Sequence, residues 1–356
     1  MHRIIKEDLE TIVDGLKEEA KALEGKTLLI SGGAGFLGSY FVGTIHLLNR
    51  RFAKPCRVIV VDNYITGSKD SFINKLLDEN IRLIEADVTK PLAVEEPVHY
   101  IIHAAGLASP FYYRKFPLET IDVAILGTKN LLELAREKQV QSYLGFSSSE
   151  IYGNPDPNFV PTPETYRGNV SCTGPRSCYD ESKRLAETMS LTYHQIYAVP
   201  IKIVRPFNIY GPGMKHNDYR VIPTFMMRAM AGEMLPVHDT GNQTRTFCYI
   251  SDAITGFFKV LLSDKNGEIY NVGIDGPEVN MLALATMITD IFPHKASIQT
   301  VQYPDSYPAD EPNRRCPDLT KIRAYLNYNP KVDLKDGLER TLAWYKDVVS
   351  PGAKLV

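Results

Sequence analysis

Tyr179 and Lys183 stand four residues apart in a stretch of helical periodicity, so both fall on one helix face. An ammonium beside a phenol favours the phenolate and draws its pKa down from about 10, which makes the tyrosine a usable general base. A solvated Tyr–Lys pair has the same spacing, and context separates the two readings. Upstream lies a short apolar strand ending in Ser147, Ser148, Ser149 and Glu150, where hydroxyls can hydrogen-bond a substrate oxygen. Further upstream, the turn SGGAGFLGS sets Gly32, Gly35 and Gly38 at three-residue spacing between a predicted strand and a predicted helix. Glycines let the backbone turn tightly and approach a pyrophosphate, whose charge meets the N–H groups and positive end of the helix. Asp62 ends the next strand, where a carboxylate accepts from both ribose hydroxyls and repels an added 2'-phosphate. The pattern therefore predicts NAD rather than NADP.

The cofactor contacts predicted are Gly32, Gly35, Phe36, Leu37, Gly38, Asp62, Asn63, Gly67, Asp87, Val88, Ala104 and Ala105, with Tyr179 and Lys183 at the nicotinamide end. Two of these assignments have competitors. Asp87, followed by Val88, either reaches the adenine end or caps a turn. The small residues of HAAGLAS (103–109) either admit the cofactor backbone or reflect tight packing. No metal ligand set is predicted.

Several elements must hold these residues in place. Ile5, Leu9, Ile12, Leu16, Ala20 and Leu23 recur at steps of three or four, so residues 3–23 read as an amphipathic helix, docked on its own chain or on a partner. Strands are expected at Thr27–Ile30, Arg57–Val61, Ile81–Ile84, Tyr100–His103, Tyr143–Phe146 and Ile201–Val204, with helices around 68–78, 117–138 and 178–198. This alternation predicts an α/β fold, a Rossmann-type doubly wound parallel sheet. After Pro206 the periodic segments shorten and Pro and Gly punctuate often (Gly211, Pro212, Gly213, Pro236, Gly241, Gly276, Pro277, Pro304, Pro308, Pro312, Pro317). The organisation expected is a helical extension over 1–24, an NAD-binding Rossmann domain over 25–206 and a smaller C-terminal substrate-binding lobe over 207–349.

Composition narrows the ligand. The 356 residues suit about two domains, and 40 basic against 42 acidic residues give a net charge of -2. No global field draws in nucleic acid, so an anionic ligand must be small and locally held. Five cysteines (56, 172, 178, 248 and 316) form no CxxC pair and fit reduced thiols in a cytoplasmic setting. Charges run through Met1–Leu23, which argues against a signal peptide. The uncharged stretch Thr27–Asn49 contains five glycines and reads as strand, turn and helix rather than as a membrane span.

The Gly-rich turn, the YDESK segment and the Ser-rich strand end together resemble the extended short-chain dehydrogenase/reductase superfamily of nucleotide-sugar enzymes. DNYITG, SSSEIYGNP, ETYRGNV, GPRSCYDESKRLAET, FNIYGPGM, NQTRTFCYISD and PNRRCPD are similar, in order, to segments of UDP-glucuronate decarboxylases (UDP-xylose synthases), from about Lys26 to Tyr345. The chain departs from that family at Ser148, usually Thr, at Ser171, Cys172 and Thr173, usually Asn-Pro-Ile, at Ser182, usually Gly, and at Cys316, often basic.

The resemblance implies oxidation of UDP-glucuronate at C4 by NAD, loss of CO2 from the β-keto acid and re-reduction to UDP-xylose. Tyr179 would take the C4 hydroxyl proton, Lys183 would hold Tyr179 ionised and bind the nicotinamide ribose, and Ser148 would bind the C4 oxygen. Ser149, Glu150 and Arg245 match the remaining active-site positions; Arg245 would hold the carboxylate or a water and offset Glu150, or the two would form a structural ion pair. Asn208, Arg220 and Arg315, preferred over Arg314, would bind the UDP moiety. Three rivals share the base and cofactor: a UDP-uronate 4-epimerase; a 4,6-dehydratase, disfavoured by Ser149 standing before Glu150; and a UDP-apiose/xylose synthase, kept open by Cys172 and Cys178. A non-catalytic NAD-binding scaffold is the remaining alternative. The superfamily also implies a homodimer, formed through the Tyr–Lys helix and the helix before it.

Overall fold

The computed structural model describes residues 1–303 and 312–349, so Pro304 and Pro308 lie outside the described residues. Seven strands form one sheet: β1 (Thr27–Ser31), β2 (Arg57–Asp62), β3 (Ile81–Glu85), β4 (Tyr100–His103), β5 (Ser142–Phe146), β6 (Ile201–Pro206) and Glu268–Val272. Their order is Glu268–Val272, β6, β5, β4, β1, β2, β3, and every pairing is parallel. The order reverses between β1 and β4, and at such a switch point the loops at the carboxyl ends of the strands part to leave a crevice.

Period-two alternation sends successive side chains to opposite faces. Leu28, Ile30, Val58, Val60, Ile102 and Leu144 pack on one side with α2 (Phe36–Leu48), whereas Leu29, Ile59, Val61, Ile101, Tyr143 and Ile203 pack on the other with α5 (Thr128–Lys138). Each such buried side chain contributes on the order of 2 kcal/mol. Both faces are apolar because both are covered, which is why the strands read as continuous hydrophobic runs.

The N-terminal segment docks on its own chain. It forms α1 (Arg3–Leu16) and a 3-10 turn (Lys17–Leu23), with Ile5, Leu9, Ile12 and Leu16 buried against α2 and α8 (Ile250–Leu262). Asp8, on the same face, accepts from Tyr40 and Tyr249 hydroxyls and pairs with Arg340 at 2.8 Å. Two predicted helices differ. Residues 68–78 hold only a short 3-10 turn, Phe72–Lys75. Residues 117–138 are interrupted: α3 (Pro110–Lys115) and α4 (Pro117–Asp122) each begin at a proline, and a π turn, Val123–Gly127, precedes α5. The helix α6 (Ser177–Tyr197) carries Tyr179 and Lys183 and ends where Ala198 turns left-handed.

Beyond Pro206 the chain contributes to both halves. The helix α8 and the strand Glu268–Val272 complete the main sheet layer. Short pairs form the smaller lobe with α7 (Val221–Met230): Leu235–His238 on Ile298–Val301, and Thr244–Arg245 between Val279–Asn280 and Arg314–Arg315.

Candidate active site

One cavity of about 1320 Å³ opens at the switch point, and all the predicted site residues line it. The glycine turn shows two distinct uses of the missing side chain. At Gly32 (φ +73°) a Cβ would lie 2.7 Å from the Ala105 backbone, and at Gly38 a Cβ would lie 2.1 Å from the Gly32 carbonyl oxygen. Those two glycines therefore let the turn close on itself and on the segment after β4, and Ala104–Ala105 are small for the same reason. Gly35 is the N-cap of α2 and supplies no capping side chain, so the helix N-terminus faces the cavity.

Asp62 takes backbone donors on both oxygens, Ala34 N–H at 2.9 Å and Tyr64 N–H at 2.8 Å. Burial raises its pKa, and these bonds with the nearby Lys215 charge oppose the rise. Gly67 approaches so closely that a Cβ would sit 2.8 Å from the Asp62 carboxylate. A carboxylate beside a helix N-terminus in one crevice fits the ribose and pyrophosphate of NAD. Lys215, not anticipated from sequence, donates to the Thr66 and Gly67 carbonyls at 2.7 and 2.9 Å and ties the loop after Gly211 over this end. Asp87 accepts from Thr89 N–H at 2.9 Å, the turn-capping alternative, while lining the cavity.

At the other end Tyr179 is 4% exposed and stacks on Tyr113 with ring centroids 5.2 Å apart. Burial pushes its phenol up to about 12; a hydrogen bond with Ser148 pulls it down, and the Glu150 and Asp180 charges push it up. Lys183 donates to the Phe146 carbonyl at 2.7 Å and lies 5.9 Å from the Tyr179 ring centroid. Burial lowers its pKa to about 8. The spacing argument therefore finds the right face, but the ammonium is anchored on a strand-end carbonyl rather than on the phenol oxygen.

The expected Glu150–Arg245 compensation needs correction. Glu150 Oε2 accepts from Arg315 at 2.7 Å and also from Arg176. Arg245 donates to the carbonyls of Pro312 at 2.6 Å, Thr244 at 2.8 Å and Asn313 at 3.2 Å. Its strand pairs in register with Arg314–Arg315, and Arg315, not Arg245, reaches Glu150. Arg314 points elsewhere and forms a two-point pair with Glu278. Asn208, at φ +42°, donates to Thr246 O and accepts from Arg315 at 3.4 Å. Arg220 is paired with Asp218. Ser149 is buried one residue from Glu150. Arg176 is a site residue that the sequence reading misses; its position three residues before Tyr179 is the signal that could have found it. Cys172 and Cys178 do not line the cavity, and the latter's thiol donates to the Tyr113 carbonyl at 3.6 Å.

A doubly wound sheet with a carboxylate beside a glycine-rich turn and a buried Tyr–Lys pair across one crevice defines a dinucleotide-dependent enzyme. The chain belongs to the NAD dependent epimerase/dehydratase family, whose model matches residues 28–273, and within it to the UDP-glucuronic acid decarboxylases. It is 42% identical to UDP-glucuronic acid decarboxylase 5 of Arabidopsis thaliana, over 87% of this chain and 86% of that one. It is 38% identical to UDP-glucuronic acid decarboxylase 1 of Danio rerio, over 90% and 72% of the two chains. Among solved structures, a dTDP-glucose 4,6-dehydratase from Streptomyces venezuelae superposes with a TM-score of 0.79 at 28% identity, covering 90% of this chain and 97% of that one. A UDP-glucuronic acid 4-epimerase from Bacillus cereus, in complex with UDP-glucuronic acid and NAD, superposes with a TM-score of 0.75 at 26% identity, covering 90% and 99%.

Proposed function

We propose that this chain uses NAD to convert UDP-glucuronate to UDP-xylose and CO2. The observation that carries the reading is Tyr179 and Ser148 in one cavity with a Glu150 that is bound to Arg315. Decarboxylation through a 4-ketone needs a base at the C4 hydroxyl and donors where charge then gathers. Tyr179 accepts the hydroxyl proton, Ser148 bonds that oxygen and Lys183 binds the nicotinamide ribose. NAD, held by the glycine turn and Asp62, would supply when bound the acceptor, and later the donor, of the C4 hydrogen.

Once C4 is a ketone, the C5–C6 bond lies β to a carbonyl. It breaks to release CO2, its electron pair passes to the C4 oxygen, and the Tyr179 and Ser148 hydroxyls stabilise that oxygen. A proton then adds to C5, delivered through the Glu150 side chain or a water it orients, and Tyr179 returns its proton to the C4 oxygen. One proton is consumed for each CO2 released. Arg315, Arg220 and Asn208 hold the anionic substrate; Arg245 supports Arg315 through the paired strands.

Purified protein with UDP-glucuronate and NAD, followed by NMR, tests the reading. UDP-xylose is the expected product; UDP-galacturonate, an apiose product, or NAD binding without turnover would each replace it by one of the rivals. The apiose reading loses support because neither candidate cysteine lines the cavity.

A homodimer and a cytoplasmic setting belong to the same proposal. Exposed apolar side chains gather on α4 and α6, which pack together: Leu118 (71% exposed), Ile121, Leu185 and Ile196 (65%). Burying such a patch favours association. All five thiols are free, in keeping with a reducing compartment, and among the described residues no helix is long and apolar enough to cross a membrane. Light scattering of wild type and Leu185→Lys checks the dimer; an unchanged mass removes α6 from the interface.

A further inference from the structure

We propose that Arg176 is the positioning residue that keeps Glu150 in place when Arg315 turns to the substrate, a role that rests on the decarboxylase reading. Glu150 is largely buried, and both guanidiniums meet it at the same oxygen, Oε2; among the described residues no hydrogen bond reaches Oε1. The two cations are held differently. Arg176 is 3% exposed at the start of α6, and its Nε faces Asp180 Oδ2 at 3.5 Å, so a second carboxylate also holds it. Arg315 lines the cavity, as Arg176 does, but reaches Asn208 only at 3.4 Å and has a buried Nε with no partner. The cation with unspent donors is the one free to bind an arriving carboxylate or phosphate.

That movement has a cost unless Arg176 is present. A buried carboxylate stripped of its counter-charge is strongly disfavoured and moves toward whatever cation is in reach. If Arg315 alone held Glu150, substrate binding would pull Glu150 along or leave it unpaired. With Arg176 fixed on Oε2, Arg315 can depart while Oε1 keeps its place in the cavity.

The geometry also ties Glu150 to the base. Glu150 N–H donates to the Ser148 hydroxyl at 3.2 Å, and Ser148 shares the cavity with Tyr179, whose pKa it lowers. The N–H groups of Tyr179 and Asp180 both donate to the Arg176 carbonyl, at 2.9 and 3.0 Å. Ser148, Glu150, Arg176 and Tyr179 are thus linked in a chain across two elements, β5's terminal loop and α6. This linkage holds the group placed for CO2 loss and reprotonation at a fixed distance from the group that opens the reaction.

Arg176→Met tests this in the full chain loaded with NAD. Absorbance of the reduced nicotinamide in a single turnover reports C4 oxidation, and labelled CO2 reports decarboxylation. The variant is expected to lose about 30-fold or more in CO2 release with less than about threefold change in oxidation rate and in KM for UDP-glucuronate. Equal losses in both steps, or none in either, overturn the proposal. Should the Met variant not fold, Arg176→Lys carries the same ratio with about a fivefold effect, since one ammonium cannot hold Glu150 and Asp180 together. If wild-type protein leaves UDP-glucuronate unchanged, the functional reading fails by itself. The positioning claim is then decided by crystals of Arg176→Lys soaked with UDP, an anion for Arg315 to turn to: Glu150 displaced from its place in wild type soaked alike supports it, and Glu150 unmoved overturns it.

Discussion

Removing the Ser148 hydroxyl should move the pH at which the first hydride leaves the sugar. Tyr179 is buried enough that its phenol lies near 12, and Ser148 supplies the hydrogen bond that opposes this rise. A hydrogen bond to a charged group is worth about 1.5–3 kcal/mol, and about 1.4 kcal/mol equals one pH unit. Ser148→Ala should therefore raise the apparent pKa of the oxidation step by about one to two units. At neutral pH, below that pKa, the phenolate fraction falls tenfold per unit, so the oxidation rate should drop by about 10- to 100-fold from this effect alone. Ser148→Thr keeps the hydroxyl and should keep the wild-type midpoint. The assay is single-turnover nicotinamide reduction, measured across the alkaline range for all three proteins. A slower Ser148→Ala with an unshifted midpoint would show that Ser148 contacts the substrate without tuning Tyr179, and the base assignment would lose its electrostatic support.

Three other outcomes can be checked more simply. Asp62→Asn replaces one acceptor with a donor that must face Ala34 N–H or Tyr64 N–H; NAD affinity by calorimetry should weaken about tenfold or more, and an unchanged affinity would remove Asp62 from the ribose site. Gly38→Ala puts a Cβ 2.1 Å from the Gly32 carbonyl oxygen, so urea denaturation should show a loss of about 1–3 kcal/mol together with weaker NAD binding. Asp8 has its pKa raised to about 6, from burial first; a folded-state pKa above the unfolded value gives stability that is full below about 4 and lost as pH rises through 6. Asp8→Asn should flatten that slope between pH 4 and 7 in denaturation experiments, and a slope equal to wild type would place the titration elsewhere.

The most legible parts of this protein were those encoded at short range. A strand of consecutive Val and Ile, a glycine every third residue and an acid at the next strand end are local patterns, because a sheet buried on both faces and a turn closing on itself constrain neighbours in the chain. The i to i+4 spacing likewise put Tyr179 and Lys183 on one face, as found on α6. What escaped is long-range. Glu150 meets Arg315 across 165 residues, and nothing near either residue distinguishes Arg315 from Arg245, its register partner on the adjacent strand. Only the tertiary surroundings decided which guanidinium turned to Glu150 and which was tied to main-chain carbonyls. Lys183 was placed by spacing, yet its ammonium went to the Phe146 carbonyl because a buried cation takes whatever acceptor the fold brings within reach. The N-terminal helix shows the same division: its period fixed an apolar face, and the surface that covers it was chosen by α2 and α8, elements whose meeting with it depends on the whole sheet.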